Sequence, residues 1–154
     1  MTAAFLYSVE REFKVGIDAL WDAWASPTAL EQWYCPTDLA VLPGSVENDT
    51  RVGGVWAAAV DVAAHNFVAY FYGVYTVVEP LKRLEHTMIY TQDSAEFAAR
   101  QEGPSHLVVV EFEDRGESSW VKFSQFGELP EGQAPQAQAG MESYFNNLGA
   151  YLAR

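Results

Sequence analysis

The segment from Gly140 to Ala153, GMESYFNNLGAYLA, restricts the fold more than any other stretch of the chain. Met141, Phe145, Leu148 and Leu152 recur at i, i+4, i+7 and i+11, with Tyr144 beside them, which predicts a helix with one apolar stripe. The segments before it read mostly as strands, and no other helix of comparable length is present. A lone long helix can hide its stripe only against a sheet, so the pattern calls for an α+β domain. Whether that helix closes a solid core or roofs a space is then the central question.

The preceding elements follow from their periods. From Phe5 to Val15 the residues Tyr7, Val9, Arg11 and Phe13 share one side, as in a half-buried strand. In GIDALWDAWA, Ile17, Leu20, Trp21 and Trp24 fall at helical spacing. Ser26 and Pro27 then read as N-cap and first residue of a second short helix, TALEQWY, ending before Pro36. Beyond it, Pro43-Gly44, Gly53-Gly54, residues 61–66, Pro80 and Arg115-Gly116 punctuate segments rich in Val, Tyr, Phe and Thr. Strands are expected near 38–46, 54–62, 66–79, 83–92, 105–114 and 118–128, with a loop at 94–105 that has room for a helical turn. The expected order is β-α-α, six strands, then α, with the strands as an antiparallel meander.

Strand parity assigns the inward faces. Leu84, His86, Met88 and Tyr90 share one side; Val108, Val110 and Phe112 another; Val121, Phe123 and Gln125 a third; Trp56, Ala58 and Val60 a fourth. The stretch NFVAYFYGVYTVV is apolar on both faces, and alternation alone does not assign its inward side. The inner face is thus aromatic and aliphatic, with His86, Tyr90 and Gln125 as its polar groups.

Composition excludes several functions. With 9 Lys+Arg against 21 Asp+Glu the net charge is −12, which repels phosphate backbones, so no nucleic-acid partner is expected. One cysteine, Cys35, leaves no internal disulfide and no cysteine-based zinc site, and it reads as a bystander thiol. His65, His86 and His106 have no metal-ligand spacing, so no metal or other cofactor is expected. No signal peptide or membrane span is visible, which predicts no membrane insertion and a cytoplasmic protein. No repeat or linker divides residues 1–154, so a single domain is expected. Hydrolase, phosphate-loop and dinucleotide motifs are missing, and Gly53-Gly54 reads as a turn. His86 stands out among apolar neighbours, either as a satisfied core histidine or as a polar group in a greasy pocket.

The ordered set of segments resembles the helix-grip, or START-like (SRPBCC), superfamily. It looks most like the branch of activator of heat-shock-protein-90 ATPase homologue-like proteins. VEREFKVGIDALWDAWASPTALEQWYCP (9–36) resembles that family's opening, with Arg11, Trp21, Pro27, Leu30, Trp33 and Pro36 in place. Tyr34 and Cys35 depart from a second Trp and a Gly. RVGGVW (51–56), GVYTVVEPLKRLEHTMIY (73–90) and GESSWVKFSQFGEL (116–129) are similar to its later strands. In the last helix Gly140, Leu148 and Leu152 match, while Met141 stands where Trp is usual and Phe145 where Leu is usual.

The resemblance implies a curved antiparallel sheet gripping the C-terminal helix, with an internal apolar cavity between them. It implies binding of a hydrophobic or aromatic small molecule, with Trp33, Trp56, His86, Met88, Tyr90, Val110, Phe112, Phe123, Gln125, Met141 and Phe145 as the expected lining. Two alternatives stand beside it. One is a cyclase/aromatase-like or hydrolytic enzyme using His86. The other is a co-chaperone-like interaction module with a chaperone partner, which the presence of one domain alone weakens. Neither the motifs nor the resemblance assigns catalytic residues. The high aromatic content leaves a homodimer open. For the closing helix, the expectation is a split stripe: Leu148 and Leu152 seal the core, and the Met141 end roofs a pocket.

Overall fold

In the computed structural model, which describes residues 4–154, β1 (Phe5–Phe13) alternates as expected and buries Tyr7, Val9 and Phe13. Two short helices follow, α1 (Ile17–Ala25) and α2 (Pro27–Trp33). Ser26 separates them: its Oγ accepts the Ala29 N–H at 3.3 Å, and Pro27 fits the first turn, where no N–H is needed. Trp33 Nε1 donates to the Ala23 carbonyl at 2.8 Å and so ties α2 to α1.

The remaining strands are β2 (Ala40–Val41), β3 (Glu47–Asn48), β4 (Val55–Val62), β5 (Phe67–Glu79), β6 (Arg83–Thr91), β7 (His106–Arg115) and β8 (Ser118–Phe126). A short helix, α3 (Ser94–Ala99), lies in the expected loop between β6 and β7, and α4 (Ala134–Leu152) closes the chain. Pairing is antiparallel in the order β1-β8-β7-β6-β5-β4-β2, with β3 also on β4. The sheet curls around α4, which is the helix-grip arrangement.

One expected strand is divided. Residues 38–46 form no continuous strand but hold only β2, and β3 follows as a second two-residue piece. Gly44 at φ +80° turns the chain after Pro43. Ser45 Oγ then donates to the Leu42 carbonyl at 2.7 Å and accepts the Ala59 N–H at 3.1 Å, taking over from the backbone ladder.

The ambiguity of β5 has a physical source. Its register against β6 shifts between Tyr75 and Val77, so Tyr75 faces His86 while Val78, not Val77, faces Leu84. This bulge reverses the alternation, and no period of two fits the whole strand. Its opposite face is apolar for another reason: Phe97 of α3 packs there, with ring centroids 4.8 Å from Tyr70 and 6.0 Å from Tyr72. At Gly73 an added Cβ would stand 1.8 Å from the Thr87 carbonyl oxygen, so only glycine allows β5 and β6 to approach this closely.

On the inner side, α4 buries Met141, Phe145 and Leu148, while Leu152 is only partly covered. Trp24 sits at the centre of the packed end, with ring centroids 4.8 Å from Trp33, 6.1 Å from Phe145 and 6.3 Å from Phe123. Its Nε1 is the one sealed side-chain nitrogen or oxygen without a hydrogen-bond partner among the described residues. Arg11 pins β1 to α4 from the rim, reaching Asn146 Oδ1 at 2.8 Å and Glu142 Oε2 at 3.1 Å.

Candidate ligand pocket

Packing is not uniform under α4. Between the first half of that helix and the curled sheet lies a pocket of about 480 Å³. Phe71, Met88, Phe123, Leu129 and Met141 form its apolar walls. The mouth lies where exposure is highest, at Tyr90 (50 % exposed), Pro104 and Gln133; the floor lies at the buried residues Tyr7 and Tyr34. Helix α4 contributes Ala137, Gly140, Met141 and Tyr144, one turn after another along a single face. A Cβ built on Gly140 would meet nothing within 4 Å. No Lys, Arg, Asp or Glu lines the pocket.

The structure brings together five of the residues singled out from the sequence: Met88, Tyr90, Phe123, Gln125 and Met141. The other six, Trp33, Trp56, His86, Val110, Phe112 and Phe145, are buried in the packed interior outside the lining.

His86 shows why. Its ring stacks on Trp56 with centroids 4.2 Å apart, and Tyr75 meets it edge-on at 5.6 Å. Its Nδ1 lies 2.8 Å from the Thr87 carbonyl, which can only accept, so Nδ1 carries the proton. Burial lowers the pKa to about 4, opposed by that hydrogen bond. The side chain is a neutral core histidine held by the backbone of its neighbour.

The histidine on the pocket wall is His106. Its Nε2 donates to the Glu128 carbonyl at 3.0 Å, which leaves Nδ1 as an acceptor for Gln125 Nε2 at 2.6 Å. Gln125 Oε1 in turn accepts from the Tyr7 hydroxyl at 2.7 Å. The chain Tyr7→Gln125→His106→Glu128 therefore has one direction, and both nitrogens of His106 are occupied. Gly127, at φ +155°, makes room for it: a Cβ there would stand 2.4 Å from the imidazole Cδ2.

Two phenols on the pocket differ from Tyr7. Tyr34 and Tyr144 meet edge to face with centroids 5.1 Å apart, and among the described residues neither hydroxyl has a hydrogen-bond partner. Burial pushes the pKa of Tyr7, Tyr34 and Tyr144 above the ordinary phenol value, so all three stay protonated. Beside them the Cys35 thiol is pushed up by burial, against the hydrogen bond from Asn147. Among the described residues no cluster of three His, Cys, Asp or Glu could hold a metal ion, and no helix is long and apolar enough to cross a membrane.

Sequence reasoning missed Tyr7, Tyr34, His106 and Tyr144 as pocket residues. Parity carried a signal for two of them: Tyr7 shares the inward side of β1, and His106 is in phase with Val108 and Val110. Tyr144 flanks the helix stripe. For Tyr34 only the departure from the expected Trp gave a hint.

A family model described as Activator of Hsp90 ATPase homolog 1-like protein matches residues 14–153. Among solved structures, a protein from Chromobacterium violaceum superposes with a TM-score of 0.80 at 17 % identity, over 96 % of both chains. An AHSA1 protein from Silicibacter pomeroyi does so with a TM-score of 0.78 at 24 % identity, again over 96 % of both. A protein from Staphylococcus epidermidis gives 0.76 at 20 % identity, covering 99 % of this chain and 92 % of its own. At such identities the likeness establishes the fold. No curated protein matches the sequence.

Proposed function

Because this chain belongs to the family of Activator of Hsp90 ATPase homolog 1-like proteins, a helix-grip family that supports ligand binding in general, we propose that it binds an uncharged, hydrophobic or aromatic small molecule under α4. The observation that carries this reading is the pocket itself: about 480 Å³, open at Tyr90 and Gln133, and free of charged side chains. Apolar walls reward an apolar guest by roughly 25 cal/mol per Å² of buried area, before the costs of association. A charged guest would lose its hydration with no counter-ion to replace it. The proposed contacts are Met88, Tyr90, Phe123, Gln125 and Met141 from the sequence reading, joined by Tyr7, Tyr34, Phe71, His106 and Tyr144. A cytoplasmic location is part of the same proposal.

The geometry favours binding over acid–base catalysis by either nearby histidine. His86 lies outside the lining, stacked on Trp56, and both ring nitrogens of His106 are engaged, Nε2 with the Glu128 carbonyl and Nδ1 with Gln125.

Nile red, an uncharged dye, tests the reading. Saturable fluorescence enhancement is expected for the natural chain and its loss for Gly140→Leu, which puts a side chain into open space. No saturable signal from the dye or from a lipid panel, and no small molecule retained in native mass spectrometry, overturns the proposal. In that event a pull-down against a chaperone ATPase becomes the next experiment.

A further inference from the structure

The polar groups at the pocket floor differ in how far they are engaged. Gln125 Oε1 already accepts from Tyr7, and His106 Nδ1 from Gln125. Among the described residues the hydroxyls of Tyr34 and Tyr144 have no partner, so each keeps its O–H to donate. Tyr34 is only 3 % exposed, yet its hydroxyl is not among the sealed atoms, since Trp24 Nε1 alone is sealed without a partner. The Tyr34 hydroxyl therefore opens into the pocket it lines. Tyr7, Tyr34 and Tyr144 stand near enough that Tyr144 and Tyr7 oppose ionisation of Tyr34, and Tyr7 opposes that of Tyr144.

We infer that Tyr34 and Tyr144 form a two-donor clamp for a carbonyl oxygen at the pocket floor, so that the site selects uncharged aromatic ketones or quinones over hydrocarbons of the same shape. The inference rests on the pocket being the binding site. A hydrocarbon would displace the water that these hydroxyls otherwise bind and strand two buried donors. A carbonyl offers two lone pairs in one plane, one for each phenol. A carboxylate would bring a charge that no Lys or Arg on the lining balances.

Fluorenone and fluorene, which differ by one carbonyl, serve as probes for the full-length chain. Calorimetric titration should show fluorenone bound about tenfold more tightly than fluorene, from two hydrogen bonds. Its bound C=O stretch should lie below the frequency in an apolar solvent. Tyr34→Phe and Tyr144→Phe should each reduce the preference by about threefold, and together abolish it, with fluorene bound more tightly as the stranded donors are removed. Equal affinity for both probes, or a preference that survives in the double variant, removes the clamp and leaves the pocket reading standing. If neither probe binds saturably, the clamp falls together with the pocket reading. Should a variant fold poorly, the wild-type infrared spectrum decides: an unshifted C=O stretch overturns the inference.

Discussion

The two halves of α4 face the same sheet and differ in what lies between. Around Phe145 and Leu148 the space is filled by Trp24, Phe13 and the neighbouring side chains of β1 and α1, with Phe145 wholly buried. Around Ala137, Gly140 and Met141 the same helix face borders a pocket. The helical period is unbroken across both halves, so periodicity marks a buried face without saying what fills the far side. Side-chain volume makes the difference: bulky rings at one end, and a glycine, an alanine and a flexible thioether at the other.

The strongest way to break this comparison is a pair of truncations. Phe145→Ala should cost about 3–5 kcal/mol, because closely packed rings cannot collapse into the void. Met141→Ala should cost about 2 kcal/mol, the low end for its type, because part of its surface already meets empty space. Urea unfolding reads both, and equal losses would make the two halves alike.

The histidines give a second contrast. In the folded chain the pKa of His86 is lowered to about 4, against an ordinary value of 6.5. The unfolded chain therefore binds the extra proton between these values. The associated stability is present above pH 6.5 and is lost as pH falls towards 4, amounting to roughly 3 kcal/mol. Unfolding measured from pH 7 to pH 4 should show this loss in the natural chain, and a slope shallower by that amount in His86→Gln.

At the hollow end, Gly140→Ala should stabilise the helix by up to about 1 kcal/mol, since the new methyl touches nothing. A destabilised Gly140→Ala protein would mean that the helix is already closed down on the sheet there. The smallest effect belongs to the rim. Glu142→Gln should cost less than about 1 kcal/mol, and the cost should shrink further in salt, because its pair with Arg11 is partly exposed.

Most of the architecture was legible because alternation and helical spacing report burial directly. Leu84, Val108, Val110, Val121 and Phe123 point inward as their parity requires. What escaped has particular causes. The bulge after Tyr75 shifts phase inside a strand, and residues 38–46 lose their ladder to one serine hydroxyl and one glycine turn. For the pocket, parity separates inside from outside but does not separate filled from hollow. His86 and Gln125 both face inward and sit level with each other across Val108, yet one stacks on Trp56 and the other lines the pocket, so neither parity nor register says which is covered. Tyr34 was legible only as an irregularity, a phenol where the resemblance expects an indole, and that irregularity puts a free hydroxyl on the pocket floor.

The tryptophan cluster also reports on the pocket optically. Trp24, Trp33 and Trp56 all lie in the packed interior, Trp120 lies beside Arg115, and no indole lines the pocket. The pocket is instead ringed by phenols. Trp24, Trp33 and Trp56 stand directly behind the floor phenol Tyr34, with ring centroids 6.1, 5.2 and 5.6 Å from it, so emission excited at the red edge of the indole band should be quenched by a guest that absorbs there. Light absorbed by tyrosine and passed on to tryptophan should be intercepted by an aromatic guest held between them. The chain thus carries a built-in reporter of occupancy that needs no label.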